Sequence, residues 1–406
     1  MRADPPADLA RLRRRHALRL VGFLGACGVA LYARKPDMFH RPQLWAEDGF
    51  IFFQQALTLG SGALVTPYAG YHLGVPRIVA AIAAAFDPVA APAIYVGSRV
   101  ALILWVVART LSPRFPIQHR AVAALAIVFV PDAGEVLLLL TSVQWILAVG
   151  LVALLISDDP QTPRQKAHDA IAALLIGTTG PFSTLLAAVF AWRAWVRRSR
   201  WSGILAAIVT GSGLVQLSFL IRDPAPLPTD HALAGMHALA AVGARVGGSL
   251  LLGAWVPAPP GIVVGSLLGL GTLAAVAWLA SRPGPNRPQR LWCGAAFAVL
   301  LAAGLLRSRF SLDDLLLPGF GSRYFIPPQI LATWLVASLL SEGGRLRRRL
   351  VAGVLLFMLV VNLPRLREPE LFDLQWERYA EQIRPGHAIV VPINPIPSTI
   401  DLPEGW

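Results

Sequence analysis

Apolar stretches of membrane-spanning length recur from one end of this 406-residue chain to the other, and that recurrence constrains the fold more than any other feature. A bilayer core offers no partner to a bare N–H or C=O, and a crossing helix needs about 20 apolar residues. Runs open at 17–33 and continue at 89–111, 121–130, 137–156, 170–176, 182–195, 202–221, 261–280, 291–306, 326–340 and 350–363. Together they predict an all-α polytopic membrane protein with about eleven spans. Several runs are short, above all beside Gly177-Thr178-Thr179-Gly180-Pro181, which predicts broken or half-length helices lining a cavity. With 55% hydrophobic residues, 15% charged residues and a mean hydropathy of +0.58, a soluble multidomain protein is excluded.

The formal charge of +13 and pI near 11 do not indicate nucleic-acid binding, because the basic residues form short blocks between apolar runs with no aromatic interleaving. They read as topology determinants. An inner amino terminus puts the blocks at 11–19, 109–120, 164, 193–200, 282–290 and 345–349 on the inner side. Most acids then lie outside, including Glu47, Asp48, Glu135, Asp313 and Asp314, and an odd span count puts the carboxyl terminus outside as well. The basic start followed by the 17–33 run has a signal peptide's charge pattern; ahead of so many later spans it reads as an uncleaved first helix. Cys27 and Cys293 each fall inside an apolar run and read as packing residues.

Residues 1–364 form the bundle, with a first outer loop at 34–88, and residues 365–406 form a tail too short for an independent domain, expected to pack on the outer face. In that tail, 373–383 has helical spacing, Arg384-Pro385-Gly386 stops it, and 387–391 reads as a short strand. Gly261, Gly265 and Gly269 have the spacing of a close helix contact.

The chemistry concentrates on the outer side. Glu47 and Asp48 sit in Leu44-Trp45-Ala46-Glu47-Asp48-Gly49-Phe50, at the start of a short helix whose stripe of Phe50, Ile51, Phe52, Phe53, Ala56 and Leu57 should lie along the interface. An acidic pair there can take a proton from a hydroxyl or hold a divalent cation; a helix start with acids chosen for its dipole is the plain alternative. Tyr68, Tyr71 and His72 offer aromatic faces and hydrogen bonds suited to a sugar, or form an interfacial belt, and Arg77 follows where a lipid phosphate can reach. Glu135 and, within the next run, Thr141, Gln144 and Trp145 are polar groups that face a cavity or a partner helix. Arg99, inside a span, calls for a carboxylate, carbonyl or phosphate partner. A later outer loop carries Arg307-Ser308-Arg309-Phe310, Asp313-Asp314 and then Gly319-Phe320-Gly321-Ser322-Arg323-Tyr324-Phe325, where Arg323 can pair with a phosphate or, with Tyr324, anchor the interface.

The cytoplasmic start, the long first outer loop with Trp45-Ala46-Glu47-Asp48-Gly49, Pro131 to Glu135 with Gln144-Trp145, the break Thr179-Gly180-Pro181-Phe182 and Ser322-Arg323-Tyr324-Phe325 together resemble the bacterial polytopic glycosyltransferases of the GT-C superfamily. The resemblance implies a GT-C-like bundle with juxtamembrane helices on its outer face, in the bacterial cytoplasmic membrane. It implies a polyprenyl-phosphate sugar as donor, a saccharide or lipid-linked acceptor, and Asp48 with Glu47 as base or, in some members, as a site for Mg or Mn. Arg323, with Arg77 beside it, would hold the donor phosphate, and Tyr71, His72, Glu135, Gln144, Trp145 and Tyr324 would shape the pocket. The small tail is unlike the large soluble domain of oligosaccharyltransferases. A carrier or flippase of a polyprenyl-linked saccharide would need similar broken helices and arginines, but such proteins show repeats and polar groups reaching the midplane from both sides, neither of which is evident here. A non-catalytic scaffold with solvated outer acids is the third reading, separated from an enzyme by whether Glu47, Asp48 and Arg323 converge on one pocket.

Overall fold

The computed structural model describes residues 7–223, 235–253, 261–307, 314–316 and 321–406. The expected features at Ser308 to Phe310, Asp313, Gly319 and Phe320 lie outside the described residues. In chain order the helices are α1 (Ala7–Arg34), α2 (Gln54–Leu59), α3 (Gly74–Ala84), α4 (Ala91–Thr110), α5 (Arg120–Val128), α6 (Gln144–Ile156), α7 (Pro163–Gly177), α8 (Phe182–Arg197) and α9 (Arg200–Arg222). They continue with α10 (Gly235–Val242), α11 (Ile262–Ser281), α12 (Arg287–Arg307), α13 (Ile326–Ser338), α14 (Arg345–Asn362) and α15 (Trp376–Ala380), and the tail closes on a hairpin of β1 (Ile389–Pro392) and β2 (Thr399–Leu402).

Six segments among the described residues are helical, long and apolar enough to cross a membrane: Ala17–Arg34, Pro88–Thr110, Arg200–Arg222, Ile262–Ser281, Arg287–Arg307 and Ser322–Ser341. Their outward faces are apolar, as at Val21, Val29, Leu214, Ile221, Val263 and Leu267, which suits lipid and not water. The sequence count of about eleven treated every apolar run as a crossing, and several of those runs are only 9 to 16 residues of helix.

The short helices create the architecture of the site. At 1.5 Å per residue, the 13 residues of α6 and the 16 of α8 reach roughly 20 and 24 Å, less than the ~30 Å hydrocarbon core. The chain runs along α6, returns through α7, breaks at Thr178 to Pro181 and descends again in α8. Pro181 starts α8, since its ring suits a first turn and not a helix interior. Gly180 has φ +83°, and a Cβ there would strike the Gln144 side chain. The neighbouring α9 has 23 residues and α12 has 21, so both continue past the start of α8 and leave a recess above it.

Elsewhere α10 and α11 meet so closely that a Cβ on Gly243 or Gly269 would overlap the facing backbone, the small-residue contact expected around Gly265. Cys27 and Cys293 are buried and unpaired by disulfide. At the end of the bundle away from the recess, each of three acids is held by arginines. Asp159 meets Arg193 and Arg197, Asp169 meets Arg109 and Arg114, and Glu342 meets Arg290 and Arg347.

The tail lies against the first loop. Trp376 donates its ring N–H to the Pro88 carbonyl and meets Phe53 edge-on, and Asn394 accepts from the Ala46 N–H. The expected helix over 373–383 is confined to α15, because Gln375 adopts a left-handed backbone just before it. The strand expected at 387–391 pairs antiparallel with β2, whose strand the sequence reading did not anticipate.

Candidate functional site

A cavity of about 650 Å³ fills the recess. Its polar lining includes Glu47, Tyr68, Tyr71, Gln144, Arg307 and Arg323. Its apolar wall is Leu217 and Leu220 of α9 with Leu300, Ala303 and Leu306 of α12. Leu217, Leu220 and Leu306 are also exposed on the outside of the bundle, so this wall borders the lipid-facing surface.

The two acids of the first loop go to different places. Asp48 begins a π-helical turn over Asp48–Phe53 and points inward. Its Oδ2 accepts the Leu140 N–H at 2.6 Å, and its Oδ1 accepts the Thr141 N–H at 2.9 Å and the Thr141 hydroxyl at 2.7 Å. Burial raises Asp48 to about 6, opposed by those bonds and by the Arg99 charge. Arg99 therefore has a carboxylate nearby, and its Nη2 also lies 3.5 Å from the Met38 sulfur. Glu47 is the acid that lines the cavity, with the Tyr68 hydroxyl donating to its Oε1 at 3.1 Å. The acid pair expected to act together is thus divided: Glu47 faces the cavity, and three donors already occupy the Asp48 oxygens. The same donors present positive ends where a cation shared with Glu47 would need lone pairs.

The loop that carries the acids is held by unusual backbone. Ala46 has φ +44°, and its N–H donates to Asn394 of the tail. Gly49 packs against the tail closely enough that a Cβ would lie 2.5 Å from Ile393 Cδ1, so a larger residue there would require that side chain to shift. Phe52 and Phe53 are fully buried, so the stripe expected to lie along the interface instead packs into the bundle.

Tyr68 and Tyr71 exchange backbone hydrogen bonds around Ala69 (φ +54°) and Gly70 (φ +82°), a tight turn with both central residues left-handed. Opposed residues of such a turn share a face, which puts both rings on the cavity. Burial raises the Tyr71 hydroxyl above its ordinary range.

Gln144 and Trp145 form the floor with Pro181 and Phe182. The Gln144 amide donates to the Thr141 carbonyl at 3.2 Å, and its side chain also meets the Tyr71 hydroxyl. Trp145 meets Phe182 and Tyr324 edge-on at 5.0 and 5.1 Å. Arg323 lines the opposite wall and donates to Glu135 Oε1 at 2.7 Å. Glu135 is thus a strut behind Arg323 and not a lining residue; burial raises it, and Arg323 opposes that rise most.

Two sequence candidates are structural. Arg77 is buried away from the cavity, donating to Gln55 at 2.6 Å with its guanidinium 4.5 Å over the Phe52 ring. His72 stacks on Phe219, and its ring nitrogens lie 3.1 and 2.7 Å from the Thr178 and Leu64 carbonyls. It helps fasten the first loop to the helix break, as do the bonds from Gly180 to its carbonyl and from its N–H to Gln216. Gln216 also lines the cavity and was missed in the sequence, although a glutamine inside the apolar run 202–221 is itself a signal.

Among the described residues no three His, Cys, Asp or Glu side chains cluster as a metal site. A cation in the cavity would have Glu47 as its carboxylate ligand among the lining residues. No protein-family model, curated protein or solved structure matches the chain.

Proposed function

We propose that this protein is an integral-membrane glycosyltransferase that moves a sugar from a polyprenyl-phosphate donor to a hydroxyl of a saccharide or lipid-linked acceptor. The observation that carries the reading is one cavity with a carboxylate, Glu47, two guanidinium groups, Arg307 and Arg323, and an apolar wall beside lipid. A phosphate fits the guanidinium groups, a sugar fits between Tyr68, Tyr71 and Trp145, and a hydrocarbon chain fits against α9 and α12.

In the proposed step Glu47 takes the proton of the acceptor hydroxyl as its oxygen bonds to the anomeric carbon. The bond from that carbon to the phosphate oxygen breaks, its electron pair stays on the phosphate, and Arg323 and Arg307 stabilise the added charge. Attack opposite the leaving phosphate inverts the anomeric centre. Asp48 positions Glu47 by tying its loop to Leu140 and Thr141. Glu47 would hold a divalent cation if one is used, and such a cation would supply further charge neutralisation; activity with and without chelator tests that variant.

The same reading puts the protein in a bacterial cytoplasmic membrane with its amino terminus inside, its cavity and tail outside, and the short helices completing about eleven passes. What favours an enzyme over a carrier is the floor: below Gln144, α6 is apolar and buried along nearly its whole length. The deciding experiment is Glu47→Gln in membranes supplied with a polyprenyl-phosphate sugar and acceptor. Turnover should fall by about 10²- to 10⁴-fold; retained turnover removes the base and with it this reading.

A further inference from the structure

A second cavity, of about 260 Å³, lies between α5, α13 and α14 and shares no lining residue with the first. Its walls are hydrocarbon, chiefly Leu125, Phe129, Leu355, Met358 and Leu359. An apolar void of this size holds no stable water, and left empty it forfeits the contacts of its lining atoms.

The α14 side of this groove is one helix stripe. Ala352, Leu355, Leu359 and Asn362 recur at three- and four-residue steps and all line it. One turn earlier on the same stripe is Arg348, exposed, whose Nε donates to the carbonyl of Leu340, itself a lining residue, at 3.2 Å. Arg345 and Arg349 are exposed within a turn of it. The groove therefore begins beside a cationic group at the end of the bundle opposite the Arg323 cavity and runs inward. From Arg348 to Leu359 the rise is roughly 16 Å, close to half of the ~30 Å hydrocarbon thickness.

We infer that this groove is a binding site for an anionic phospholipid, its phosphate on Arg348 and one acyl chain along Ala352 to Leu359. Charge selects the lipid: a zwitterionic headgroup offers the same chain but carries its own cation to the basic cluster. The site lies in the leaflet facing Arg345 to Arg349 and is independent of the reaction proposed for the other cavity.

The test uses the full-length protein in neutral detergent, titrated with phosphatidylglycerol or phosphatidylcholine of matched chains while its thermal midpoint is followed. Phosphatidylglycerol should raise the midpoint saturably and phosphatidylcholine should not. Arg348→Gln should raise the half-saturating phosphatidylglycerol concentration by about tenfold, as loss of a charge-assisted contact implies. Ala352→Phe, at an exposed position that folding tolerates, should block the groove and abolish the phosphatidylglycerol response. Equal responses to the two lipids, or unchanged titrations in Arg348→Gln and Ala352→Phe, overturn the assignment. A carbene-forming phosphatidylglycerol chain should label α14 and α5 in the wild type; labelling confined to other helices overturns it as well.

Discussion

Thr141 donates twice to one oxygen of Asp48, through its backbone N–H at 2.9 Å and its hydroxyl at 2.7 Å, and so joins the first loop to the start of α6 across 93 residues. That junction separates the roles of two adjacent acids, and the separation is measurable.

Asp48→Asn places an amide N–H against the Leu140 N–H, donor to donor, where a carboxylate oxygen now accepts at 2.6 Å. The expected cost is about 1–3 kcal/mol of stability, read as a lower thermal midpoint. Glu47→Gln should leave that midpoint nearly unchanged while removing turnover. The reverse pattern would return the catalytic role to Asp48.

Stability should also depend on pH through Asp48. Burial raises the folded group to about 6, above the ordinary 3.8, so the folded state holds the proton more tightly between those values. Its contribution to stability is therefore greatest at acidic pH and declines as pH rises from about 4 to about 6, by at most about 3 kcal/mol. Protonation differs from the asparagine change because the neutral carboxyl keeps an oxygen facing Leu140. Unfolding measured across this window should show the decline in the wild type and lose it in Asp48→Asn.

Arg323→Ala should weaken donor binding and leave Glu135 without its ion-pair partner. Both side chains are about a quarter exposed, at 23% and 25%, so the stability cost should be about 1–2 kcal/mol and not that of a fully buried pair. Combining it with Glu135→Ala should restore part of the stability without restoring activity. A double-mutant cycle in midpoint and in KM separates the two effects.

Ala303→Phe fills the apolar wall between α9 and α12 at a site that is already half-buried. KM for a long-chain polyprenyl donor should rise severalfold, with a smaller change for a short-chain analogue. Equal effects on both donors would take the hydrocarbon chain out of this wall.

Periodicity and breaks made much of the architecture readable in advance: the apolar runs, the interruption at Gly177 to Pro181, and one end of the bundle holding both acids and Arg323. Which acid faces the cavity was not readable, since neighbours on a helix start differ by about 100° in direction and the bonds that orient them come from residues 140 and 141. Arg77 and His72 misled for a related reason. Each has chemistry suited to substrate, but Gln55 and Phe52 surround one and two carbonyls hold the other, contacts made by chain segments whose approach no local pattern reveals. The span count turns on helix length: six of the described helices are long and apolar enough to cross, and the other apolar runs form shorter helices.

The floor of the cavity is set on one side by where α8 starts, not by any charged side chain. Helical residues added or removed in the first turn of α8, after Pro181, would raise or lower that part of the floor by about 1.5 Å each, with Glu47 and Arg323 carried on other elements. Chamber depth and reaction chemistry are thus separately adjustable, so a related chain could accept a bulkier saccharide by trimming one turn of helix and altering none of its ionic groups.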